Sequence, residues 1–160
     1  MDKIRVIEVF DRYINNVLHT WSGENEKERC LFGLFEEAGE IVGKEKKRLR
    51  GDEMQDFDTQ VKKEIGDFLY YLRLYGHLHN VKIDSNIEIY YFKFTDFIEY
   101  FATDFGTYRN VKHFYQDSFI NILSLIEGLG FDFEEIIKLN VDKLNSRLER
   151  GKIHGNGDER

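Results

Sequence analysis

The sequence predicts an all-α fold, and three observations carry the prediction. No proline occurs in 160 residues, where average usage would place about eight, so the commonest interruption of long helices is missing. Apolar residues recur at spacings of three and four through most of the chain, the helical period. Hydrophobic residues make up 41% of the chain and aromatic ones 15%, enough to build one core, which makes residues 1–160 a single helical-bundle domain.

Each helix has its own markers. Ile4, Ile7, Phe10, Tyr13, Ile14 and Val17 define the first, from Ile4 to Leu18. "TWSGENE" breaks it, with Ser22 as the expected cap of a second helix running from about Glu24 through Leu31, Leu34, Ala38 and Ile41 to Leu49. Gly51 is its expected stop, because glycine enters the left-handed conformation of a helix end without a Cβ clash. After the polar loop "RGDEMQDF", Val61, Ile65, Phe68, Leu72 and Tyr75 mark a third helix ending near Asn80. The stretch "NIEIYYFKFTDFIEYFATDFGTY" fits two periods. Ile87 to Phe94 alternates as a strand would, while Tyr91, Phe94, Ile98, Phe101 and Phe105 hold helical spacing, and helix is the reading taken. Val111, Phe114, Ser118, Ile122 and Leu125 continue with a helix that stops at "EGLG". The last helix begins at "DFEE", where Asp132 and Glu135 have capping-box spacing, and carries Phe133, Ile137, Val141, Leu144 and Leu148. The tail, 151–160, holds three glycines and reads as loop, able to wrap an anion with backbone N–H groups or to stay disordered.

Charge and cysteine content narrow the function classes. A formal net charge of -7 repels phosphate backbones, so direct nucleic-acid binding is not expected, and a phosphate-bearing ligand would need a cation or a local basic strip. The single cysteine, Cys30, cannot close an internal disulfide, and no apolar run of membrane-spanning length occurs. The expectation is a cytoplasmic protein without a membrane partner.

The chemistry concentrates in two acidic clusters, "FEEAGE" (Phe35 to Glu40) and "EIGD" (Glu64 to Asp67). At about 100° per residue, Glu37 lies about 60° and Glu40 about 120° to one side of Leu34 on the second helix, with Lys44 between them as an expected substrate contact. Glu64 and Asp67 repeat those offsets relative to Val61 on the third. An antiparallel pair joined by a short loop has an approximate two-fold axis, which carries equal offsets to the same side, and both clusters lie about 14 Å from the loop at ~1.5 Å per residue. Either cluster alone reads as solvated helix surface; together they are placed to face each other. Converging carboxylates beside an apolar wall must take up protons or bind a cation. Oxygen-only ligands favour Mg²⁺, with Mn²⁺ as a substitute, over zinc. A di-iron site would want Glu-x-x-His pairs, which are absent.

The last helix supplies the opposite sign. Asn140, Lys143 and Arg147 lie about 60°, 120° and 80° to one side of Ile137, and a basic strip facing a metal-loaded groove suits a polyphosphate. Trp21 offers a face for stacking on a base, although an interhelix tryptophan more often packs in the core.

These residues carry a resemblance. "EEAGE" followed by "EIGD" resembles the EExxE and ExxD pair of the MazG-like all-α nucleoside triphosphate pyrophosphohydrolases. "KKEIGDFLYYL" is similar to that family's third-helix pattern, and "NVDKLNSRLERGKIHGNGDER" to the ending of its phage and bacterial members. The resemblance implies that Glu37, Glu40, Glu64 and Asp67 hold Mg²⁺. It further implies that Glu36 helps order the attacking water, and that Asn140, Lys143 and Arg147 contact a nucleoside triphosphate cleaved to monophosphate and pyrophosphate. A homodimer or homotetramer is implied too. The aromatic-rich segment 85–117 departs from a minimal member, as extra core, oligomer surface or lid. The rival expectation is a non-enzymatic helical interaction protein whose acidic groove binds metal or a partner without hydrolysis.

Overall fold

The structure is a computed structural model describing residues 1–105 and 109–150. Its helices are α1 (Lys3–Thr20), α2 (Glu26–Arg50), α3 (Phe57–Leu78), α4 (Phe94–Phe105), α5 (Val111–Leu129) and α6 (Phe133–Glu149). No strand occurs among the described residues, so the fold is all-α as the periodicity implies. None of the helices is long and apolar enough to cross a membrane.

α3 is the axis of the bundle, packing against α1, α2, α5 and α6, while α4 lies across α2 and α5. Its sequence explains the position. Val61, Ile65, Phe68, Leu69, Leu72, Leu74 and Tyr75 are all buried, an apolar surface too wide for one partner. Gly76 lets α5 close on it, since a Cβ there would stand 2.4 Å from the Tyr115 hydroxyl oxygen. The connection 51–56 is short, and α2 folds back along α3 in the most extensive interface of the molecule.

Helix ends follow local chemistry. Asp2 caps α1 by accepting from the N–H groups of Ile4 and Arg5, and Asp132 caps α6 by accepting from Glu135 N–H at 2.7 Å. Gly51 ends α2 with φ +84°, its N–H bonded to Arg48 O while Asp52 N–H reaches Lys47 O, the paired 5→2 and 6→1 bonds of a Schellman stop. Gly130 and Phe131 close α5 in the same way.

The structure corrects the sequence reading in three places. Ser22 does not cap α2: the helix begins at Glu26 after Asn25 in a left-handed conformation, and the Arg29 guanidinium holds the approach by donating to the carbonyls of Ser22 and Glu24. Ile4 is 68% exposed, so the buried stripe of α1 is Val6, Phe10, Tyr13 and Val17. Residues 87–93 are neither helix nor strand. Their amides pair with α5 instead, Tyr90 N–H with Ser124 Oγ and Phe92 N–H with Ser124 O, both at 3.0 Å. Gly128 makes this possible, because a Cβ there would lie 2.0 Å from Phe92 O. Tyr91 points outward, and α4 starts only where Asp96 accepts from Lys93 N–H.

Most of the described aromatic insert is core. Phe97 and Phe101 of α4 pack edge-on against Phe68 at 5.8 and 5.4 Å, Phe101 also meets Phe35, and Phe114 meets Tyr75 at 5.3 Å. Tyr90, Tyr91, Tyr100 and Phe105 are its exposed aromatic members among the described residues. The expectation for the tail, 151–160, lies outside the described residues.

Gly128→Ala should force the 87–93 segment off α5. The expected result is a lowered melting temperature and faster hydrogen exchange at the Tyr90 and Phe92 amides, with exchange across α2 and α3 unchanged; protection that persists at Tyr90 and Phe92 would contradict the assigned seam.

Candidate metal centre

α2 and α3 bring their acidic flanks together as the matched offsets require. One carboxylate oxygen from each of Glu37, Glu40 and Glu64 lies within 4.8 Å of the other two. Asp67, one turn beyond Glu64, lines the same enclosed cavity of about 90 Å³, with Glu36, Tyr70, Tyr71, Lys143, Leu144 and Arg147. A larger hollow of about 710 Å³, near the start of α1 and of α6, is lined by charges that pair among themselves, including Arg5 with Glu134 and the terminal amine with Glu127. The chemistry is in the smaller one.

The charges are distributed unequally. Glu64 accepts an ion pair from Lys44 Nζ at 2.8 Å. Asp67 accepts from Lys143 Nζ on one oxygen and from Asn140 Nδ2 at 2.7 Å on the other. Glu37 is the member left over. Its Oε2 is buried without a hydrogen-bond partner, and burial, reinforced by Asp67, Glu40 and Glu64 and partly opposed by Lys143, pushes its carboxyl up to about 9. Near neutral pH that carboxyl keeps a proton unless a cation takes the proton's place. Tyr71, pushed to about 12 by burial and then by Glu37, remains a neutral phenol beside it.

An orphaned buried carboxylate oxygen, two further carboxylates within bonding reach of a shared point and a donor set made only of oxygen together fit a hard divalent ion such as Mg²⁺ or Mn²⁺. Asp67 is engaged elsewhere in this conformation and is not part of that three-oxygen group.

Three predicted substrate contacts are placed differently by the structure. Asn140 is only 2% exposed, its amide held between Tyr13 and Asp67 and off the cavity lining. Lys44 is a counter-ion of Glu64 and is not among the residues lining the cavity. Trp21 also stands outside it, its indole N–H donated to Glu26 and one face covered by the Arg29 guanidinium at 4.5 Å. It meets the site through an edge-on arrangement with the Tyr71 ring, centroids 6.3 Å apart. Lys143 and Arg147 do reach the cavity, as does the exposed Glu36.

Sequence reasoning missed Tyr71, although its signal was available: ten residues past Val61, it falls about 80° to the same side as Glu64 and Asp67. The room it occupies comes from Gly33, where a Cβ would collide with its ring at 2.4 Å. Tyr70 reaches the same cavity while its hydroxyl accepts from Thr20 Oγ1 at 3.1 Å, a link to α1 that helical phase on α3 does not forecast. No family model, curated protein or solved structure matches this chain.

The raised Glu37 carboxyl fixes a sign. Its unfolded value is near 4.5 and its folded value about 9, so the native state holds the extra proton between them and stability is lost as pH rises through that window. Chelator-treated protein should melt lower at pH 9 than at pH 6, and Glu37→Gln should flatten that slope. Mg²⁺ should raise the melting temperature most at the alkaline end, with proton release on binding detectable by calorimetry at neutral pH. A slope unchanged in Glu37→Gln would show that the titrating group lies elsewhere.

Proposed function

We propose that the protein is a Mg²⁺-dependent nucleoside triphosphate pyrophosphohydrolase of the MazG-like type, cleaving a ribo- or deoxyribonucleoside triphosphate to the monophosphate and pyrophosphate. The observation that supports it most is the meeting of Glu37, Glu40 and Glu64 around one point, with the cations of Lys143 and Arg147 lining the same cavity. Negative ligands for a metal and positive ligands for phosphate within one enclosure are what phosphoanhydride hydrolysis needs.

In this reading Glu37, Glu40 and Glu64, joined by Asp67, hold the ion. Bound Mg²⁺ supplies positive charge to the phosphate oxygens and makes the α-phosphorus more electrophilic. Lys143 and Arg147 neutralise the charge that collects on the pyrophosphate as it leaves. Glu36, an exposed carboxylate of the cavity outside the three-oxygen group, accepts a hydrogen bond from the attacking water and keeps it oriented. The water oxygen bonds to the α-phosphorus, the bond from that phosphorus to the oxygen bridging to the β-phosphate breaks, and the water proton leaves to the surrounding carboxylates or solvent. The cavity of about 90 Å³ has room for an ion and part of a phosphate chain, so base and sugar rest outside it.

A second reading draws on the pairing of Lys44 with Glu64 and Lys143 with Asp67. If those lysines keep their partners, the groove is a neutralised acidic surface that takes metal or a protein partner without hydrolysis.

Incubation with each common nucleoside triphosphate, with Mg²⁺ or with chelator, followed by chromatography of products, separates the two. The expected result is monophosphate plus pyrophosphate, lost on chelation; orthophosphate as the product would change the assigned bond, and no product from any nucleotide while metal still binds would establish the second reading. Glu40→Gln and Asp67→Asn should each lower turnover by at least about a hundredfold, as loss of a charge-stabilising group does, with melting in chelator no lower than in the parent. A folded variant with full activity would remove that residue from the site.

A further inference from the structure

α1 lends no side chain to the cavity, yet it reaches one of the cavity's carboxylates. Tyr13, 2% exposed, donates its phenol hydrogen to Asn140 Oδ1, and Asn140, equally buried, donates from Nδ2 to Asp67 Oδ1. Three helices from distant parts of the chain thus meet in one hydrogen-bonded line. Its polarity is forced. An ionised carboxylate only accepts, so Asn140 must present its nitrogen to Asp67, and the amide oxygen then needs a buried donor, which the phenol provides. Turned over, the amide would set its oxygen against a carboxylate, acceptor against acceptor in a low-dielectric interior. Gly66 keeps α6 close: a Cβ there would stand 3.0 Å from Asn140 Cβ and 3.2 Å from Asn140 Nδ2.

We infer that Tyr13 is a positioning residue of the metal centre: through the Asn140 amide it fixes Asp67 Oδ1, so that Oδ2 is the oxygen presented to Lys143 and to a bound cation. The inference rests on the metal reading of the cavity. With the hydroxyl removed, nothing on α1 holds the amide in register, and Asp67 becomes free to turn. Hydrogen-bond partners of metal ligands characteristically act in this way, by orienting a ligand they do not replace.

The test is a Mn²⁺ titration of the full chain by electron paramagnetic resonance in the parent, Tyr13→Phe, Asn140→Ala and the double variant, each also melted in chelator. Tyr13→Phe keeps the ring and its packing. It should weaken Mn²⁺ binding, by no more than the roughly tenfold to hundredfold that follows loss of a ligand's direct hydrogen-bond partner, here Asn140. The double variant should bind no more weakly than Asn140→Ala alone, because Tyr13 acts through that amide. Equal affinities in the parent and Tyr13→Phe, or additive losses in the double variant, would overturn the inference while leaving the metal centre standing, whatever the melting curves show. A parent that takes up no Mn²⁺ would remove the centre and the inference together. One further measurement needs no variant: the Asn140 side-chain amide resonance of the parent should shift as Mg²⁺ is added, and a resonance that Mg²⁺ leaves unmoved would equally overturn the inference.

Discussion

Holding like charges together at the edge of an apolar core is the constraint on which the rest of this structure depends. Glu37, Glu40, Glu64 and Asp67 sit on the facing flanks of α2 and α3, where water is thinned and the effective dielectric is below that of bulk solvent. Three of the four are answered by different means. Glu64 takes a lysine from its own hairpin, Asp67 takes a lysine and an amide from α6, and Glu37 takes a proton. The last is the weakest of the three solutions, since it leaves a buried oxygen without a partner. A divalent cation would replace that proton and satisfy the oxygen at once.

The packing serves the same end. α3 can carry acids on one flank because its remaining circumference is apolar and enclosed by neighbours. Glycines set how close those neighbours come: Gly33 admits the Tyr71 ring between α2 and α3, and Gly66 admits Asn140. The insert adds hydrophobic mass from the side, where Phe97 and Phe101 brace Phe68, one position after Asp67. A phenylalanine fixed on the core face limits how far the carboxylate beside it can roll with the helix.

Much of this was legible in residue order because helical phase is local. The offsets of Glu37 and Glu40 from Leu34, and of Glu64 and Asp67 from Val61, are fixed by backbone geometry, and a short loop does the rest. Ser22 failed as a cap because Arg29, a tertiary partner, dictates the path into α2. The 87–93 segment failed because its hydrogen bonds go to Ser124, a neighbour no window on the sequence contains. Asn140 has the phase of a cavity residue, but Tyr13 and Gly66 draw it below the surface. What periodicity misses here is consistently a contact between elements far apart in the chain.

The line from Tyr13 through Asn140 to Asp67 also has a meaning in time. The α2–α3 hairpin is a local structure whose ends meet at low loop-closure cost, whereas α6 must return across most of the chain to dock on α1 and α3. Low contact order favours closing the hairpin before α6 docks, and in that order of events a cation bound between α2 and α3 would meet the Asp67 charge that Lys143 and Asn140 answer only once α6 is in place.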